Sequence, residues 1–159
     1  MDIMIDTEIW SLSVKKPLRD KFRSKEGYDK AIEIHDKARM LVKNALSNDT
    51  IYMSAHQIAE IFHVLAYRGT KLPLQFAKKY IKSLIDAKEI VKIEVTWTDF
   101  LESIRLSSMS GIHIWDFLCL IPIKKYIEVM YTLDKHVTHE VFKKFGIKII
   151  NPFGSWKIL

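Results

Sequence analysis

Cysteine is nearly absent from this sequence. Cys119 stands alone, so no internal disulfide can staple the fold, and such sparing use of thiols matches a reducing compartment. Glycine and proline are scarce, at five and four residues in 159, which argues against a collagen-like or loop-dominated chain. No apolar run approaches the ~18 residues of a membrane-spanning helix. The N-terminus also lacks a basic region followed by an apolar one. Repeats, low-complexity tracts and an internal linker are missing too. These absences leave one domain over residues 1–159, with 151–159 as a C-terminal tail, expected to be soluble and cytoplasmic.

What is present is a substantial apolar fraction, 48%, and an excess of base, Lys+Arg 25 against Asp+Glu 19. The first is enough for a real core and excludes disorder. The second favours polyanionic partners such as RNA or DNA. If acids nevertheless gather in one cleft of a basic protein, a phosphate backbone is drawn to the surface while metal ions fill the cleft.

The chain begins with Ile3, Met4 and Ile5, an apolar run suited to a strand buried on both faces, and then Asp6, Thr7 and Glu8 at the start of a helix. A carboxylate at that junction sits where open α/β sheets bind ligands. Lys15, Lys16, Arg19, Lys21, Arg23 and Lys25 follow in a loop or broken helix, interrupted by Pro17. Helical spacing then runs from Tyr28 to about Leu46, with a turn at 47–50 and a short strand at 51–53. Ser54 can cap a helix that carries Glu60 among apolar neighbours to a stop at Gly69. Pro73 suits the first turn of a helix ending near Ala87, and 90–95 alternates as a strand does. A helix from Thr98 is broken at 107–111, and another runs from Ile114 to about Tyr126 with Asp116 in its first turn and Pro122 kinking or ending it. The strand 127–132 leads directly to Asp134, and a helix over 138–145 and a strand over 147–150 close the fold.

Strands alternating with helices imply a mostly parallel sheet covered on both faces. Right-handed crossovers bring the strand ends carrying Asp6 and Asp134 to one edge, where Glu60 and Asp116 can join them. Unit charges ~4 Å apart repel by about 4 kcal/mol at an effective dielectric near 20. Acids gathered in this way must take up protons or cations, and hard oxygen donors select Mg²⁺ or Mn²⁺.

Four motifs, Ile3-Met-Ile-Asp6-Thr7, Ser54-Ala-His-Gln-Ile-Ala-Glu60-Ile-Phe, Ile114-Trp-Asp116-Phe-Leu and Tyr131-Thr132-Leu-Asp134-Lys-His136, together resemble the PIN-domain nucleases. Within them the chain looks most like the toxin of a VapBC toxin–antitoxin pair. The resemblance runs from Ile3 to Ile150 with the motifs in the family's order. It implies a PIN-like three-layer α/β sandwich around a mostly parallel sheet of about five strands. It also implies that Asp6, Glu60, Asp116 and Asp134 bind Mg²⁺ or Mn²⁺ and cleave RNA. Thr132 matches a small hydroxyl residue two before the last Asp, Thr7 the residue after the first, and His136 stands where many members carry a further acid. On this reading Asp6 and Asp116 hold the principal ion, while Glu60 and Asp134 complete its shell or position water. Lys15, Lys16, Arg19 and Arg23 would contact the RNA phosphates. A VapB-like antitoxin that blocks the cleft and a homodimer are the implied partners.

Other readings stand beside this one. A PIN-fold module could bind RNA without cutting it. A phosphate-handling domain of the haloacid-dehalogenase type would need a second Asp where Glu8 stands, and one of the receiver type an acidic pair before a phosphoacceptor strand and a late Lys. Taken singly, Asp116 could be only a dipole partner and Asp134 only a turn residue. His56, Glu60 and His63 share a helix face and His136 and His139 lie three apart, spacings that suit zinc, though no cysteine assists. Cys119 is assigned to the core, Trp97, Trp115 and Trp156 to packing or contacts, and Asp2, Glu8 and Glu102 to the surface.

Overall fold

The apolar run at the start of the chain becomes strand β1 (Asp2–Ile5), the central strand of the sheet. The computed structural model describes residues 1–157. Four further strands, β2 (Thr50–Ser54), β3 (Ile90–Ile93), β4 (Val129–Tyr131) and β5 (Lys148–Ile150), lie parallel to it in the order β3-β2-β1-β4-β5. Seven α-helices flank the sheet among the described residues: α1 (Thr7–Val14), α2 (Lys25–Asn48), α3 (Ala55–Tyr67), α4 (Leu74–Asp86), α5 (Trp97–Ser110), α6 (Ile114–Leu120) and α7 (Glu140–Lys143). The PIN-like three-layer α/β fold expected from the sequence is the fold observed.

The pleat of β1 sorts the two cores. Ile3 and Ile5 pack with Trp10, Ala38, Ile61, Leu65 and Ala77 on the side of α1–α4. Met4, pointing the other way, packs with Leu106, Phe117, Leu120 and Phe142 on the side of α5–α7. With both faces covered, a continuous apolar strand is the stable choice. The chain leaves β1 for β2 and β3 on one side, then crosses to β4 and β5 on the other. The carboxyl ends of β1 and β4 therefore flank the reversal of strand order, the crevice in which open α/β sheets bind ligands.

Several boundaries differ from the sequence reading, each for a local reason. Helix α2 begins at Lys25 because the Ser24 hydroxyl caps the Gly27 N–H, and it runs on through Ser47 and Asn48. Helix α5 begins at Trp97, set by a Thr96/Asp99 capping box, and the expected break at 107–111 shrinks to Gly111, which ends the helix at φ 74°. The Ser107 and Ser110 hydroxyls hydrogen-bond nearby carbonyls, so those serines do not end the helix. Helix α6 stops at Leu120, two residues before Pro122, and 121–126 is a turn rather than helix, buried over 121–123 and emerging at Lys125 and Tyr126. The helix expected over 138–145 is a 3-10 turn (Lys135–Thr138) followed by the short α7. Pro73 caps α4 from outside its first turn.

One interaction ties the core to the strand end that matters. Trp10, fully buried, donates its indole N–H to the Ile5 carbonyl at 3.0 Å, and Gln57 of α3 donates its side-chain N–H to the same oxygen at 2.7 Å. Both fix the residue immediately before Asp6. Trp10→Ala is expected to lower unfolding free energy by about 3–5 kcal/mol, and Trp10→Phe by about 1 kcal/mol for the lost hydrogen bond. Urea unfolding checks both; a loss below about 1 kcal/mol for the alanine variant would contradict this role.

Candidate metal centre

Four elements deliver the acids expected from the sequence to a single cleft of about 380 Å³, whose lining includes Asp6, Glu60, Asp116 and Asp134. Asp6 caps the N-terminus of α1 directly after β1, and Asp134 caps the 3-10 turn after β4. Glu60 comes from the middle of α3 and Asp116 from the first turn of α6. The sheet supplies two of the carboxylates, and helices from opposite faces supply the others.

Two threonine hydroxyls hold the arrangement. The Thr132 hydroxyl donates to Asp6 Oδ2 at 2.6 Å and accepts the Asp134 N–H at 3.0 Å, so one side chain joins the ends of β1 and β4. Asp6 Oδ1 accepts the Thr7 N–H at 2.7 Å. The Thr7 hydroxyl donates to Glu60 Oε2, which also accepts from the Cys119 thiol at 3.5 Å. Asp134 Oδ1 accepts the His136 N–H at 2.9 Å. Asp116 is different: its Oδ2 is buried without a hydrogen-bond partner, as is His136 Nδ1, 3.9 Å away.

Electrostatics register the crowding. Burial, opposed by the Thr132 hydrogen bond and reinforced by the charge of Glu60, pushes Asp6 up to about 7. Burial and then the charges of Asp134, Asp6 and Glu60 push Asp116 up to about 7 as well. No lysine or arginine pairs with either acid among the described residues; the nearest basic group to Asp116 is the His136 ring, 3.9 Å away. Asp116, Asp134 and His136 bring donor atoms within 4.8 Å of one another, and His56, Glu60 and Cys119 form a second such group. These groups can hold a metal ion. The compact group around Asp116 includes Asp134 and His136, whereas the Asp6 carboxylate is tied to Thr7 and Thr132.

The remaining sequence candidates fall in varied places. Lys15 donates its ammonium to the Val64 and Arg68 carbonyls, each at 2.6 Å, and so caps the C-terminus of α3. Lys16 lies with Lys21, Arg68 and Lys157 along a groove that meets the acidic cleft at Glu8 and Arg68. Arg19 is held by the Phe22 carbonyl and rests on the Tyr28 ring, outside the lining of that groove, and Arg23 is exposed. Of the zinc spacings, two members drop out: His63 is exposed beside Tyr67, and His139 caps α7. His56 and Glu60 do meet, with Cys119 as the third member, so the sequence reading that no cysteine assists is corrected. Cys119 is nevertheless buried in the core as expected, its thiol pushed well up by burial and by Glu60.

Some residues at the site were passed over in sequence. Glu8, read as a surface acid, lines the cleft; burial raises it, opposed by Lys157 and Lys15. Lys157 returns from the C-terminal tail, where its backbone pairs with Leu133 and Lys135, and its ammonium lies 3.8 Å from Glu8. Trp115 stacks on His56 at 5.3 Å over the cleft, while Trp97, expected to pack or make contacts, is 84% exposed.

No family model matches the chain, and no curated protein matches it either. Solved structures share its fold. A chain in the structure of FitAB bound to an IR36 DNA fragment is 15% identical with a TM-score of 0.61, over 98% of each chain. A chain in VapBC2 from Rickettsia felis, bound to a DNA fragment from their promoter, is 14% identical with a TM-score of 0.57, over 95% of this chain and 98% of that one. A chain in FitAcB from Neisseria gonorrhoeae is 15% identical with a TM-score of 0.55, over 96% and 99%. No helix among the described residues is long and apolar enough to cross a membrane.

The raised acids set the pH dependence of the metal-free protein. Asp6 and Asp116 hold protons more tightly folded than unfolded, so their contribution is complete below about pH 4 and is lost as pH rises toward 7. Stability in EDTA is expected to fall over that window by up to about 1.4 kcal/mol per pH unit for each acid. Asp116→Asn should flatten the fall by one acid's share. Urea unfolding of both proteins between about pH 4.5 and 7.5 measures it; equal slopes would contradict the assignment.

Proposed function

We propose that the chain is a PIN-domain endoribonuclease of the VapC type, using Mg²⁺ or Mn²⁺ held by Asp6, Glu60, Asp116 and Asp134, and acting as the toxin of a toxin–antitoxin pair. One observation carries this reading: carboxylates from four separate elements line one cleft, where burial and mutual charge raise two of them to about 7, so that a cation is needed to hold them all ionised. The donor set fits the ion. Its carboxylate oxygens are hard donors, and Asp116 Oδ2 is buried with no hydrogen-bond partner to give up.

When bound, the cation supplies Lewis acidity, activating water and neutralising charge that builds on the phosphate. The protein's own groups do the rest. Asp116 and Asp134 are the principal ligands with His136 beside them, and Asp6 is presented by Thr7 and Thr132 as a further ligand. Glu60, steadied by the Thr7 hydroxyl, orients the attacking water and accepts its proton. Lys16, Lys21, Arg68 and Lys157 along the adjoining groove hold the phosphates on either side of the scissile bond. Lys15 serves chiefly to hold α3, and Arg19 and Arg23 make outer contacts with longer RNA.

The partner assignment draws on the fold shared with VapBC2 and on the resemblance noted in the sequence: a VapB-like antitoxin would cover the cleft. A homodimer is proposed through α5, where Trp97, Leu101 and Ile104 recur on one face and are exposed at 84%, 67% and 40%. Leu101→Glu should convert dimer to monomer in sedimentation velocity, and a wild-type monomer at all concentrations would contradict the interface.

Activity is tested by incubating the purified chain with labelled RNA in Mg²⁺, Mn²⁺ or EDTA. Cutting is expected with either ion and not with EDTA. Asp6→Asn and Asp116→Asn should each lose more than the about 10–100-fold that removal of an outer-shell partner costs. RNA bound yet uncut in every metal would replace the nuclease by a catalytically silent PIN-fold RNA-binding module.

A further inference from the structure

Glu60 belongs to two clusters of different chemistry. On one side it joins the aspartates; on the other its Oε2 accepts from the Cys119 thiol at 3.5 Å, and His56, one helical turn earlier on α3, lies against it. Donor atoms of His56, Glu60 and Cys119 all fall within 4.8 Å of one another. His56 Nε2 is buried and has no hydrogen-bond partner, although the ring is fixed by stacking on Trp115 with planes 5° apart. Leaving such an atom unpaired costs about 1–3 kcal/mol, and nothing in the carboxylate chemistry above uses it.

One nitrogen, one sulfur and one oxygen, with a cleft beyond them, match the preference of zinc for mixed N/S/O donors and an open fourth position. They are poor ligands for Mg²⁺, which favours oxygen and retains its waters. We propose that His56, Glu60 and Cys119 form a second cation site selective for Zn²⁺ and similar borderline-soft ions, and that its occupation withdraws Glu60 from the carboxylate cluster and inhibits the protein. The inhibitory consequence rests on the nuclease reading; the binding itself does not.

On binding, the Cys119 S–H bond breaks, the proton passes to solvent, and the thiolate pair forms the bond to the ion. His56 Nε2, buried and without a hydrogen-bond partner, is the ring nitrogen open to coordination, and stacking on Trp115 holds the ring in place. Inhibition follows because Glu60 cannot serve the zinc ion and the attacking water together. Zinc also binds such donors more strongly than Mn²⁺ does, so trace amounts compete effectively.

The test uses Co²⁺ as a visible stand-in, added to the full chain in buffer with a non-thiol reductant. Because Cys119 is the sole cysteine, a thiolate-to-cobalt charge-transfer band reports on this site alone. The expected result is a band that Zn²⁺ erases, that Cys119→Ala abolishes, that His56→Asn weakens at least about tenfold, and that Asp134→Asn keeps. His56 is only part-buried, so that variant reads the site independently of how the core tolerates a change at Cys119. In parallel, Zn²⁺ is titrated into Mn²⁺-supported RNA cleavage, each variant being compared with its own zinc-free rate. The half-inhibitory zinc concentration should rise at least about tenfold in Cys119→Ala. Cobalt binding without a thiolate band, or a band indifferent to His56→Asn, would overturn the site, and equal zinc sensitivity in Cys119→Ala would overturn its inhibitory role. A band without cleavage in any metal leaves the soft site standing and removes the nuclease reading; cleavage without a band does the reverse.

Discussion

Mutual repulsion among carboxylates at the carboxyl edge of the sheet is the constraint around which this molecule is arranged. Asp6 and Asp116 are each pushed to about 7 by burial and by neighbouring acids, so the folded chain carries a destabilising cluster that, among the described residues, no lysine or arginine neutralises at close range. Proteins place such strain where function requires it and offset it elsewhere. Here the offset comes from two packed cores, from the double anchoring of Ile5 by Trp10 and Gln57, and from the helix ends that receive Asp6 and Asp116.

The hydroxyls of Thr7 and Thr132 give the cluster its shape. Each is buried and donates to one acid: Thr132 couples the ends of β1 and β4, and Thr7 couples the start of α1 to α3. Their hydrogen bonds orient Asp6 and Glu60 without supplying positive charge, so they fix geometry and leave the repulsion among the acids in place. Asp116 has no such partner: its Oδ2 is buried without a hydrogen bond. Glu60, held between Thr7 and Cys119, is the member that links the aspartates to the His56–Cys119 group.

Much of this was legible in the sequence because it depends on local pattern. An apolar run ending in Asp announces a buried strand and its carboxyl end, and two such runs in an alternating α/β chain place Asp6 and Asp134 at one edge. Glu60 stood out because its helix neighbours are apolar. What stayed hidden depends on tertiary packing. The approach of Cys119 to Glu60 needs α6 packed across α3, and nothing in the residues around Cys119 signals it. Lys15 read as one of a run of bases, yet its length and position let it satisfy the last carbonyls of α3. Glu8 and Lys157 meet only because the tail folds back beside Leu133, a contact no spacing rule predicts. Helix limits moved wherever a serine chose between capping, back-bonding and turning, as at Ser24, Ser107 and Ser110.

The central claim is that a divalent cation takes the place of protons in this cluster. Its most direct measurement is Mn²⁺ binding followed by electron paramagnetic resonance, with protons released to a weakly buffered indicator counted in the same titration near pH 6.5. The account predicts saturable binding that expels between about one and two protons per ion, with both signals lost together in Asp116→Asn. Binding without proton release, or binding unchanged in that variant, would contradict it.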